Sequence, residues 1–109
     1  MKTSSAKQKG RKLVVEVKES LLKRFSDLLS EDLYIMPTCV GGEDLKPSPK
    51  ARQCFPFSVE CKNQEKINIH SSLAQCEANA GEYTPLLIFR RNRSKTYVCL
   101  AFDDFLDLI

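Results

Sequence analysis

The stretch that most constrains the fold is Phe55-Pro56-Phe57-Ser58-Val59-Glu60-Cys61-Lys62. Extended backbone sends successive side chains to opposite faces, so Phe55, Phe57, Val59 and Cys61 share one side and Glu60 and Lys62 the other. Such a strand needs an apolar layer over its first face, and its second face sets an acid beside a base. An acid carried to the same place by the preceding Gly41-Gly42-Glu43-Asp44 turn would complete a one- or two-metal phosphodiester site. The same residues also fit a plain amphipathic strand whose Glu and Lys are solvated and pair weakly.

The chain of 109 residues is long enough for one domain with its own core. Its apolar share of 42%, charged share of 28% and net charge of +3 are ordinary for a globular protein. Overall charge therefore does not demand a nucleic-acid partner, and local clustering has to supply one. The five cysteines form no C-x-x-C pair and the single histidine is His70, which leaves a closed zinc site without support. Reduced cysteines acting as small core residues in a cytoplasm are expected instead. No secretory apolar segment opens the sequence and no apolar run approaches membrane-spanning length.

Residues 1–9 are polar and lysine-rich and are expected as a flexible basic arm, disordered or skirting DNA, ahead of a single domain over 10–109. From Gly10 to Leu29 the period is helical: Val14, Val17, Leu21, Phe25 and Leu28 make one stripe, while Lys12, Glu16, Lys23 and Asp27 face away from it. Leu33 to Met36 reads as a short strand, and Cys39 to Asp44 as a glycine-bearing turn able to carry an acid to the rim of a sheet. Ser48-Pro49 predicts a capped turn of helix through Arg52, followed by the strand Phe55 to Lys62. A second helix is expected over Ile69 to Ala80, stopped by Gly81. Thr84 to Phe89 is a near-continuous apolar run of the kind a buried strand shows. A basic turn, Arg90 to Lys95, leads to a strand from Thr96 to Phe102, and Asp103-Asp104 would cap a last short helix. The order predicts an α/β fold: a mixed central sheet of about four strands flanked by helices.

Asp44, then Glu60-Cys61-Lys62 on an apolar strand between two helices, resembles the PD-(D/E)XK nuclease superfamily. The pieces Lys9-Gly10-Arg11, Gly42-Glu43-Asp44, Phe55 to Lys62, Gln75 to Ala80 and Phe89 to Arg93 resemble small phage endonucleases of the Holliday-junction-resolvase type. The resemblance implies a restriction-endonuclease-like domain that hydrolyses DNA in a host cytoplasm with Mg²⁺, or Mn²⁺ in its place. It also implies a role in recombination, a branched DNA substrate and a homodimer, since a four-way junction requires two symmetric cuts. Related archaeal resolvases carry a metal-facing Glu four residues after the glycine of the Lys-Gly pair. Here that position is Val14, and the helix acid stays unassigned.

In this reading Asp44, Glu60 and the carbonyl of Cys61 are the oxygen ligands of the metal, and Asp44, Glu60 and Lys62 the catalytic set. Lys62 orients the attacking water and stabilises developing charge, staying protonated until metal binds. Gln75 is either an accessory group for water or phosphate, or a structural polar residue. Lys46 and Arg52, with Lys50 nearby, and Arg90, Arg91, Arg93 and Lys95 would form a phosphate-binding rim; a solvated hairpin tip is the alternative for the last four. Two other functions share these features: a nuclease of the same fold acting on linear or single-stranded DNA, and a non-catalytic nucleic-acid-binding module.

Overall fold

Leu13, Val14 and Val17 lie on one stripe of a long helix and are buried against a sheet, which is where the apolar period of the sequence placed them. The computed structural model describes residues 2–37 and 40–109; the side chains of residues 1–6 lie outside that part, as does Cys39 of the predicted turn. Helix α1 runs Lys2–Arg24, so it takes in residues read as a polar arm and stops short of the predicted Leu29. Ser26 and Asp27, residue types that favour caps and turns over helix interiors, follow its end. A one-turn 3-10 helix, Ser30–Asp32, then leads into strand β1, Leu33–Ile35.

Strand β2 is Leu45–Pro47, helix α2 Pro49–Cys54 and strand β3 Phe57–Asn63. Helix α3, Ile69–Asn79, is followed by strands β4, Thr84–Arg90, and β5, Tyr97–Cys99, and by helix α4, Phe102–Leu108. The strand order is β1-β2-β3-β4-β5, with β3 and β4 parallel and the other neighbours antiparallel. The result is an α/β domain with a mixed five-stranded sheet and helices around it, compatible with the restriction-endonuclease-like arrangement expected. The additional strand is β2, three residues ending in a proline, too short to show a period.

Local caps fix the connections. The Ser48 hydroxyl accepts from Ala51 N–H at 3.1 Å at the start of α2, with Pro49 at the first helical position. The Asn68 side chain accepts from Ser71 N–H at 2.9 Å at the start of α3. Val59 and Cys61 of β3, with Leu86 and Ile88 of β4, join Leu13, Val14 and Val17 in the main core. Leu87, of the opposite parity, is fully buried on the side where α3 packs on β4. Among the described residues no helix is long and apolar enough to cross a membrane. The described cysteines Cys54, Cys61, Cys76 and Cys99 are free thiols.

Candidate active site

The two edges of β3 are bonded very differently. All 7 of its residues pair with β4. On the other edge β2 pairs only through Leu45 and Val59, and the Asp44 N–H donates to the Val59 carbonyl at 2.9 Å. Beyond that point β2 has left the ladder, and Glu60 to Asn63 border a cavity rather than a strand.

Asp44 fills the first position of that gap. Its Oδ2 accepts the Cys61 N–H at 2.7 Å, so the carboxylate is locked onto the open edge. The bend before it is made possible by Gly42, which sits at φ 102°, a conformation that strongly favours glycine. In an extended strand the N–H and C=O of one residue point to the same edge. The Cys61 carbonyl therefore faces the same gap as its N–H, while the Cys61 thiol is buried in the main core.

Glu60 is only 5% exposed, which removes the solvated-strand alternative for this residue. Lys62 Nζ lies 3.6 Å from Glu60 Oε2, and Glu60 Oε1 is buried with no hydrogen-bond partner. Burial, reinforced by the negative charge of Asp44 and opposed by Lys62, pushes the Glu60 carboxyl up to about 7. Burial also raises Asp44, against the opposing pull of the Cys61 N–H and Lys62. Two carboxylates with raised proton affinity, one with an orphaned oxygen, form a site whose negative charge Lys62 only partly offsets.

The donor set suits a hard cation. Asp44, Glu60 and the Cys61 carbonyl offer oxygen alone, as Mg²⁺ and Mn²⁺ require, and the orphaned Glu60 oxygen gives such an ion a ligand. Among the described residues no group of three or more His, Cys, Asp and Glu side chains comes together, so the remaining positions would fall to water. Among the described residues no acid of α1 lines the cavity, and Val14, the position at which the sequence resemblance would put a Glu, lines it instead.

The cavity also brings Lys7, Gly10 and Arg11 of α1 to Asp44, Glu60 and Lys62. These α1 cations were not among the expected site residues: Lys7 was read as part of the flexible arm, and Arg11 was given no contact with the site. Their spacing, Lys7, Arg11 and Val14, was the available signal that they share a face with the site.

The residues expected on a phosphate-binding rim separate into two kinds. Arg52 is engaged by the protein itself: it donates to Glu43 at 2.7 Å and to the Phe57 carbonyl at 2.8 Å, and its guanidinium stacks on Tyr83. Arg90 is likewise held, donating to both Glu16 oxygens at 2.7 and 3.1 Å. Lys50 donates to the Asp27 carbonyl at 2.7 Å. Lys46 is exposed on β2, and Arg91, Arg93 and Lys95 are exposed on the turn between β4 and β5. Gln75 is exposed on α3 and does not line this cavity. Glu16, placed at solvent from the sequence, is instead the partner of Arg90 from a position 74 residues away. That pairing holds the Glu16 carboxyl below the usual carboxylate range.

The model of the family described as "Phage putative PDDEXK endonuclease" matches residues 5–108. No curated protein and no solved structure matches the chain. With the match spanning nearly the whole sequence, the chain belongs to the phage PD-(D/E)XK endonuclease family.

Proposed function

We propose that the protein is a metal-dependent endonuclease that hydrolyses DNA phosphodiester bonds at the open edge of β3, with Mg²⁺ or Mn²⁺ as its ion. The observation that carries this reading is the Asp44 carboxylate locked onto the Cys61 N–H beside a buried Glu60 whose second oxygen has no partner. Asp44, Glu60 and the Cys61 carbonyl would hold the ion. When bound, Mg²⁺ supplies charge neutralisation at the phosphate and a more acidic water. Lys62, 22% exposed at its side chain, can reach both Glu60 and the cavity. Its ammonium orients the attacking water and offsets negative charge as the phosphate is attacked. Lys46, Arg91, Arg93 and Lys95 are exposed cations suited to the flanking phosphates.

The substrate in this proposal is branched DNA of the four-way type, cut by a homodimer. One small domain with one site needs a second copy to make paired cuts. Exposed Tyr97, Val98, Phe102, Phe105 and Leu106, clustered on β5 and α4, give apolar surface for such pairing. A four-way junction, a linear duplex and a single strand compared with Mg²⁺, alongside sedimentation, test this. Paired cuts near the crossover by a dimer support it. A monomer that degrades linear or single-stranded DNA as readily as junctions removes the junction assignment and leaves a general nuclease. Binding without cleavage under any divalent ion would leave a non-catalytic nucleic-acid-binding module.

A further inference from the structure

A second groove lies across α1 from the catalytic cavity. It is lined by Lys9, Lys12 and Glu16 of α1 and by Arg90, Arg91 and Arg93 at the end of β4 and the turn after it. Asn63 lines both grooves, so they meet at the end of β3. Its side chain is buried, and its Oδ1 has no hydrogen-bond partner.

The helical period explains how one element serves two grooves. At about 100° per residue, Lys7, Arg11 and Val14 fall within an arc of roughly 60° on the catalytic side. Lys9, Lys12 and Glu16 fall within a similar arc about 180° away. Their spacings, 7-11-14 and 9-12-16, place each set along its own flank. The one acid of the second groove, Glu16, is neutralised by its two bonds to Arg90. Lys9, Lys12, Arg91 and Arg93 leave the groove with a positive excess, although Glu65, which accepts the Asn92 N–H at 2.7 Å, lies beside its turn.

The ridge between the grooves has a definite width. An α-helix with its side chains is about 10–12 Å across. The major groove of B-DNA is about 12 Å wide between its two backbones. We infer that α1 lies between two backbones of a double-stranded substrate: the cut strand enters the catalytic cavity, and the uncut strand's phosphates occupy the second groove. This rests on the nuclease reading and adds to it the element the duplex straddles, α1, and the groove that holds the strand that is not cut.

Affinity for a short duplex and for one of its strands, measured over a salt series with Ca²⁺ in place of Mg²⁺, tests the inference. The Lys12→Ala/Arg91→Ala variant alters exposed side chains; Lys9→Glu/Lys12→Glu is the second variant, and thermal melting reports folding of each. Duplex affinity should fall by about 10- to 100-fold, with the salt slope reduced by roughly two for the two cations removed. Single-strand affinity should stay within about twofold of wild type, because that strand occupies only the catalytic groove, whereas Lys7→Ala/Arg11→Ala should weaken both ligands. Equal losses on duplex and single strand in the Lys12/Arg91 variant, or no loss on either, would overturn the inference. Wild-type protein that cuts no DNA with Mg²⁺ rejects the nuclease reading separately, because the binding comparison needs no cleavage.

Discussion

The two edges of β3 differ in what they are for. Toward β4, 7 paired residues and a buried layer of Leu86, Leu87 and Ile88 make a continuous ladder. Toward β2, a single register pair leaves room for Asp44, Glu60 and Lys62. One edge satisfies its backbone and apolar groups within the fold. The other leaves a buried carboxylate oxygen unpartnered, a cost a stable protein tolerates where a ligand will meet it. The comparison teaches that the site is made by ending a ladder early, and that losses on the two edges should separate into stability and chemistry.

The largest expected effect is on the open edge. Lys62→Ala should lose about 10²- to 10⁴-fold in cleavage rate, as expected when a positioned proton-transfer or charge-stabilising group is removed. It should keep its fold, since Lys62 is outside the apolar core. Quantitative cleavage assays beside thermal melting check this; wild-type turnover would mean that the open edge is not the site.

On the paired edge the expectation reverses. Leu87 is fully buried, and Leu87→Ala should destabilise the protein by about 2–5 kcal/mol in denaturant unfolding. Per folded molecule, cleavage should be little changed at a temperature where the variant is folded. A loss of activity without a loss of stability would blur the distinction between the edges.

Acidity sharpens the same comparison. In the folded chain Glu60 titrates at about 7 rather than near its ordinary 4.5, and Asp44 is also raised. The folded state therefore holds protons that the unfolded chain has released, and metal-free stability should fall as pH rises from about 4.5 to about 7. Glu16 and Asp32 are shifted the other way and act below that window. Melting temperatures in chelator across this range should fall, and Ca²⁺ should restore more stability at the alkaline end. A melting temperature that climbs through the window in chelator would show that Glu60 is not held as described.

The smallest effect concerns what supports Asp44. With so little ladder, the β1–β2 hairpin relies on clamps such as the Ser48 hydroxyl, which donates to Asp32 at 2.7 Å and caps α2. Ser48→Ala should cost about 1 kcal/mol in denaturant unfolding. A modest loss of divalent-ion affinity, read by calorimetry, should accompany it. Unchanged stability would place the support of the hairpin elsewhere.

Much of the closed edge was legible in the sequence. Val14, Val17 and Leu21 carry a helical period, and the apolar run through Leu86-Leu87-Ile88 reads as a buried strand because each residue's burial is written in its own side chain. Asp44, Glu60 and Lys62 were legible as a set of residue types, and the structure adds that they converge. The rest depended on contacts distant in sequence. Leu45–Pro47 is too short for a period and becomes a strand only through its partners. Arg90 and Arg52 resemble free cations until Glu16, Glu43 and Tyr83 are brought to them. Lys7 reads as part of a polar arm, and Arg11 has no assigned partner, until α1 is laid over the end of β3.

The most direct test of the open-edge site measures ion binding and cleavage on the same preparations of wild type and Asp44→Asn. Calorimetric titration with Mg²⁺ and Ca²⁺ would run beside cleavage in Mg²⁺, in Ca²⁺ and in excess chelator. Wild type should bind both ions, cut with Mg²⁺ and not in chelator, and bind DNA without cutting it in Ca²⁺. Asp44→Asn should remain folded and lose ion affinity and cleavage together. Full cleavage in chelator, or an Asp44→Asn variant that binds the ion and cuts as wild type does, would contradict the open-edge site.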